Sequence, residues 1–141
     1  PTKRNVIPLA YIAMEILDQL KFDSNGLIVA IVQDDDSNEV LMVAYMNREA
    51  VQKTLAGDLA CFWSRSRQKF WIKGETSGHM QTVRSVSMDC DGDALLVKVK
   101  QEGGACHQGY RSCFFREIDS SGGQTTVIGK KIFEPEQVYT I

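Results

Sequence analysis

The sequence predicts an α+β domain that is mainly β, with two short helices. Three observations predict it. Apolar residues fall in short runs of strand length, bounded by glycine and polar turns. Helical periodicity is confined to two stretches. The connections between runs are short, as in a sheet built largely from hairpins. The 141 residues suit one domain with its own core, and a hydrophobic content of 43% is ordinary for a globular chain.

The elements follow in order. Leu9, Ile12, Ala13, Ile16, Leu17 and Leu20 recur at helical spacing, so residues 8–20 are predicted as an amphipathic helix with Pro8 in its first turn. GLIVAIVQ (26–33) is predicted as a buried strand. DDDSN (34–38) is a turn and EVLMVAYM (39–46) a second strand, giving a hairpin. Asn47 suits an N-cap for a helix over 48–56 that Gly57 closes. LACFWS and KFWIKG are aromatic-rich strands around the polar turn RSRQ. MQTVRSVSMD and ALLVKVKQ are two more, EGGACHQGYRS breaks regularity, and CFFREI is a last strand. The count is about seven strands. From Asp119 the chain turns polar and glycine-bearing and is expected to be a mobile surface tail. This gives one domain over 1–118 and a tail over 119–141.

Net charge is −2 with no basic stripe, so nucleic acid is not the expected partner. No apolar run approaches the ~20 residues that span a bilayer, and no secretory signal is visible. A cytoplasmic protein without a membrane partner is expected. In that compartment the four cysteines point to metal or catalysis rather than disulfides.

The stretch MDCDGDALLVKV (88–99) sets three aspartates at alternate positions around a cysteine. In an extended strand Asp89, Asp91 and Asp93 would point one way and Cys90 the other. Three carboxylates on one face repel unless a cation neutralises them, and oxygen ligands suit a hard ion such as Mg²⁺. A solvated turn, helped by Gly92, is the alternative. An EF-hand is excluded, because its sixth and twelfth positions hold Ala94 and Lys100 instead of Gly and Glu.

Cys90 would prefer a softer metal, and Cys106 and Cys113 follow in ACHQGYRSC. No CxxC knuckle is present, and cysteine often serves as a small buried apolar residue. A glycine-rich polar loop is nevertheless a poor place for such fillers. Three thiolates leave one tetrahedral position open, as catalytic zinc does, and either histidine is able to close it. His107 is read as a base or hydrogen-bond partner near the water such a metal would activate; a surface histidine is the alternative. Cys61, among aromatics, is read as core.

WSRSR places Arg65 and Arg67 beside Ser64 and Ser66, and KGETSGH offers Lys73, Glu75, Thr76, Ser77 and His79 around two glycines. Guanidinium forks, hydroxyls and glycine-exposed backbone N–H groups suit phosphate. Ordinary hairpin turns would show the same residues. With the metal candidates downstream, the two clusters argue for a phosphorylated small molecule, to which Arg111 adds another positive group.

WSRSR, KGETSG, DCDGDAL and ACHQGYRSCF, in this order, resemble the phosphoribosyl-AMP cyclohydrolase family, over residues of about 26–115. Cys61 and Gln108 depart from the family's usual residues, and neither is a proposed ligand. The resemblance implies a zinc-dependent enzyme that hydrolyses the N1–C6 bond of the adenine ring of phosphoribosyl-AMP in histidine biosynthesis. It implies Mg²⁺ on Asp89, Asp91 and Asp93. It implies Zn²⁺ on Cys90, Cys106 and Cys113, shared between the subunits of a homodimer. The expected architecture is a mixed twisted sheet or pseudobarrel in an intertwined dimer. His107 is the expected proton carrier, with Arg65, Arg67, Lys73, Glu75, Thr76, Ser77, His79 and Arg111 on the substrate. Relatives fused to a pyrophosphohydrolase domain exist; the tail after Asp119 is too short for one, so a monofunctional chain is expected.

Overall fold

The computed structural model describes residues 14–138. Within them the order is α1 (Met14–Asp18), β1 (Leu27–Asp34), β2 (Val40–Asn47), α2 (Arg48–Ala56), β3 (Cys61–Ser64), β4 (Lys69–Ile72), β5 (Gln81–Met88), β6 (Ala94–Gln101), β7 (Arg116–Ile118), β8 (Thr125–Val127) and α3 (Pro135–Val138). The predicted helix over 8–20 lies partly outside the described residues, and α1 falls in its second half.

The main sheet has the order β2-β1-β6-β5. β1 pairs antiparallel with β2 but parallel with β6, and β6 pairs antiparallel with β5. The sheet is therefore mixed, as expected. Its edges, β2 and β5, do not pair with each other, so among the described residues it is an open sheet and not a pseudobarrel.

Register explains the core. Ile28, Ala30 and Val32 of β1 stand opposite Met46, Ala44 and Met42 of β2, and Ala30 and Val32 stand opposite Leu95 and Val97 of β6. All are buried, because the period of two puts them on one face. Leu17, Leu20, Val51 and Phe62 complete that core.

α2 begins and ends where its caps demand. The Asn47 side chain accepts from Ala50 N–H at 2.8 Å, satisfying an otherwise unpaired donor of the first turn. Gly57 closes the helix with its N–H on Lys53 O at 3.0 Å. Thr54 is buried, and its hydroxyl bonds both the N–H and the C=O of Cys61 at 3.1 Å. That ties α2 to β3 and leaves Cys61 in the core, as its aromatic neighbours predict. β3 and β4 pair Phe62 with Trp71 and Trp63 with Phe70 directly across the hairpin. Their ring centroids lie 4.8 and 4.9 Å apart, the aromatic cross-strand contact that stabilises short hairpins.

The C-terminal region departs from expectation. The last predicted strand, 113–118, begins only at Arg116, because Cys113 N–H is bound to Leu41 O at 2.7 Å and holds that residue to β2. The segment expected as a mobile tail instead forms β8, paired antiparallel with β7, and the short α3. It then folds back. Ile132 and Phe133 donate to Gly109 O at 2.7 and 3.2 Å, Tyr110 bridges to Lys131, and Tyr110 stacks on Phe115 at 3.9 Å. Among the described residues, no helix is long and apolar enough to cross a membrane.

Candidate active site

Two loops far apart in sequence build the site. The first, 73–80, leaves β4 as KGETSGHM; the second, 102–115, joins β6 to β7 and carries Cys106, His107 and Cys113. Lys73 joins them, its ammonium donating to Ala105 O in the second loop. Buried Gln81 and Gln101 support the same junction. Gln81 Nε2 donates to Gln101 Oε1 at 2.9 Å, and Gln101 Nε2 donates to Glu102 O at 2.8 Å.

The first loop is a tight reversal that needs glycine. Gly74 has φ +92°, and a Cβ there would meet the backbone of His79 and Met80 at 2.7 Å. Gly78 N–H closes the turn onto Gly74 O at 2.7 Å. The reversal opens a cavity of about 390 Å³ lined by Arg67, Trp71, Ile72, Lys73, Gly74, Glu75, Thr76, Ser77 and His107. Six of the residues expected to touch substrate or move protons thus face one space. Burial lowers the pKa of Lys73, opposed by the negative charge of Cys113 and Cys106.

Cys106 and Cys113 lie together. Cys106 is buried and sits in a turn in which Gln108 N–H donates to its sulfur at 3.4 Å and Gly109 N–H to its carbonyl at 3.1 Å. Cys113 is exposed as a residue, but the protein packed around its sulfur, then the charge of Cys106, pushes its thiol up to about 11. Cys90 is exposed in the β5–β6 turn. Among the described residues the cysteines do not form a three-ligand cluster within one chain; the one such group of ligand atoms is Asp89, Asp91 and Asp93, within 4.8 Å of one another.

Those aspartates converge for a reason other than strand alternation. Residues 89–93 are not extended; they are the turn between β5 and β6. Gly92 reverses the chain at φ +73°, and Asp93 N–H donates to Asp89 Oδ1 at 3.0 Å. A turn and a carboxylate cluster are here the same object. The pair titrates asymmetrically. Asp93 is pushed up by its hydrogen bond with Asp89 and by the Asp89 charge. For Asp89 a raising desolvation is outweighed by hydrogen bonds from Asp93, Ala94 and Gly92, which hold it low.

The turn also leans on the end of α1. Lys21 N–H donates to Gly92 O at 2.7 Å, and a Cβ on Gly92 would lie 2.6 Å from Gln19 O. Gly92→Ala is therefore expected to cost about 1–3 kcal/mol, from positive φ plus the clash. Denaturant unfolding will show it as a lower midpoint. An unchanged midpoint would refute the strain.

The remaining expected residues lie elsewhere. Arg65 stacks over Tyr45 at 4.0 Å and lines a neighbouring cavity of about 590 Å³. His79 packs its ring against Phe133 at 4.6 Å and over Gly103, where a Cβ would meet it at 2.7 Å. Arg111 donates to Asp34 Oδ1 at 3.1 Å and Gly103 O at 3.0 Å and lies 3.5 Å from Glu39. Both brace the second loop, and neither lines the cavity of His107. Their positions beside functional motifs gave no sign of that. Conversely, Trp71 reads as a strand aromatic, yet it lines both cavities.

Asp34 is 2% exposed. Burial alone would raise its pKa, but hydrogen bonds from Ser37 and Gln101 and the Arg111 charge outweigh that and hold it below the usual carboxylate range. A carboxyl depressed on folding stabilises above its unfolded pKa, and that stability is lost as pH falls through the folded value. Arg111→Met is expected to cost about 1–2 kcal/mol at neutral pH, because Asp34 stays buried with fewer donors. Chemical denaturation at pH 7 and pH 3 will show the variant's deficit shrinking at the acid end. A deficit equal at both pH values would remove the ion pair from the account.

The family model for phosphoribosyl-AMP cyclohydrolase matches residues 42–115. The phosphoribosyl-AMP cyclohydrolase of Methanococcoides burtonii is 58% identical over 123 residues, covering 87% of this chain and 98% of that one. That of Methanosarcina mazei is 60% identical over 120 residues, covering 85% and 95%. The Chlorobium chlorochromatii enzyme is 56% identical over 125 residues, covering 89% and 90%.

Proposed function

The chain belongs to the phosphoribosyl-AMP cyclohydrolase family, and we propose that it hydrolyses the N1–C6 bond of the adenine ring of phosphoribosyl-AMP in histidine biosynthesis. The observation that supports this most is the single cavity shared by His107, Lys73, Arg67, Glu75, Thr76 and Ser77, beside the Cys106–Cys113 pair.

The donor set fits zinc. Burial, then the neighbouring Cys106, opposes ionisation of the Cys113 thiol, and a dication held by these cysteines would offset both. The N–H···S bond from Gln108 fixes the position of the Cys106 sulfur. Cys90 is the third ligand we assign, and it comes from a second subunit. Exposed apolar residues adjoin these cysteines: Met88 before Cys90, Phe114 after Cys113, and Val40 beside Leu41, which anchors Cys113. A homodimer that brings the cysteines together buries that surface. The Asp89–Asp91–Asp93 cluster suits Mg²⁺ by its oxygen chemistry.

Zinc bound there supplies a nucleophile at neutral pH, because the metal acidifies water. The rest belongs to the chain. The phosphoribosyl group on N1 leaves the purine cationic and C6 electrophilic. His107 takes one proton of the attacking water and returns it to N1 as the C6–N1 bond breaks, while the C6 hydroxyl releases its remaining proton to solvent as the carboxamide forms. Lys73, Arg67, Thr76 and Ser77 donate to phosphate. Glu75, which a phosphate would repel, suits a ribose hydroxyl.

The test is direct. Purified protein incubated with phosphoribosyl-AMP should yield the ring-opened product, contain thiolate-bound zinc and run as a dimer in light scattering. Release of ammonia in place of ring opening would make it a deaminase and overturn the proposal.

A further inference from the structure

The substrate of the proposed reaction carries two phosphates. One ends the ribose on N9 and the other the ribose on N1, on opposite edges of the purine. The cavity of His107 accounts for one of them.

A second cavity lies next to it, lined by Tyr45, Ser64, Arg65 and Ser66 among others. It repeats the chemistry of the first: an arginine, hydroxyls and an aromatic wall. The Arg65 guanidinium carbon lies over the Tyr45 ring, 4.0 Å from its centroid. A guanidinium held over a ring keeps in-plane N–H donors with which to grip a phosphate. Trp71 lines both cavities, and fully buried Phe62 backs its indole at 4.8 Å. The indole is held in place but stays partly exposed.

We propose that Trp71 is the platform for the purine, and that the substrate straddles it with one phosphate in the Arg67 cavity and the other in the Arg65 cavity. A cationic purine is a good partner for an indole, since stacking and cation–π attraction act together. The inference rests on the ring-opening reading, and it assigns Arg65 and Arg67 to different ends of one molecule.

Kinetics and fluorescence test it. Trp71→Leu should raise KM for phosphoribosyl-AMP about tenfold with kcat little changed, the loss expected when one base stack is removed; Trp71→Phe should restore most of it. AMP should quench tryptophan emission strongly in Trp63→Phe, where Trp71 is the one indole left, and clearly less in Trp71→Phe, where the remaining Trp63 lines the Arg65 cavity; equal quenching in the two variants counts against the platform. Arg65→Gln and Arg67→Gln should each raise KM for the two-phosphate substrate, whereas AMP, with one phosphate, should lose affinity in only one of them. Unchanged KM in Trp71→Leu, or equal loss of AMP affinity in both arginine variants, overturns the proposal. If the wild type opens no ring, the ring-opening reading fails; the AMP titrations still decide the platform and the division of the arginines.

Discussion

Cys106→Ala is expected to strip the protein of zinc and to lower kcat/KM for ring opening by about a thousandfold or more. A catalytic metal is worth several kcal/mol of transition-state stabilisation, and each 1.36 kcal/mol is about tenfold in rate. Cys106 is the best-organised candidate ligand: buried, in a turn that aims Gln108 N–H at its sulfur, and in contact with Cys113. In the proposed dimer its removal would leave two thiols of different chains, which would together hold zinc weakly. Metal analysis and steady-state rates on the same preparation check this. A zinc-free Cys106→Ala protein with full activity would remove zinc from the reaction. The apo variant should remain folded by circular dichroism, since the core of β1, β2 and β6 includes none of the proposed metal ligands.

His107→Ala is expected to lower kcat by about 100- to 10,000-fold, the usual contribution of a positioned general acid–base, while KM changes little. His107 shares its cavity with Lys73 and Thr76 but lies next to a proposed ligand, so zinc content must be measured alongside. Zinc retained with kcat lost assigns the proton role. An unchanged pH–rate profile at normal turnover would return the residue to the surface.

Much of the fold is legible because it is local. The Asn47 cap, the β3–β4 aromatic pairs and the alternation of β1 and β6 follow from neighbouring residues. The candidate site is legible as motifs but not as an arrangement. Nothing in KGETSG announces that Lys73 reaches Ala105, because that contact is made by the tertiary fold. Arg111 shows the reverse problem. Its partner, Asp34, lies on β1, and a cation in a glycine-rich loop looks the same whether it faces substrate or a buried carboxylate. Asp89, Asp91 and Asp93 do come together, but through the Gly92 turn rather than the pleat of a strand. The tail lacked an apolar period, so its order was invisible; backbone donors of Ile132 and Phe133 supply it.

The parallel pairing of β1 with β6 has a kinetic consequence. Val29 stands opposite Ala94, so the central pair of the sheet joins strands separated by about half of the described chain. Such pairings close large loops before any contact repays the entropy, and they fold slowly. The β1–β2 hairpin can form early, but its β6-facing edge stays uncovered until β6 arrives. The aspartate turn closes the β5–β6 hairpin, a local pairing that can form before the parallel one. Divalent ions that grip this turn would therefore act early, by delivering β6 as part of a preformed hairpin, and would speed folding to the extent that this hairpin is structured in the transition state.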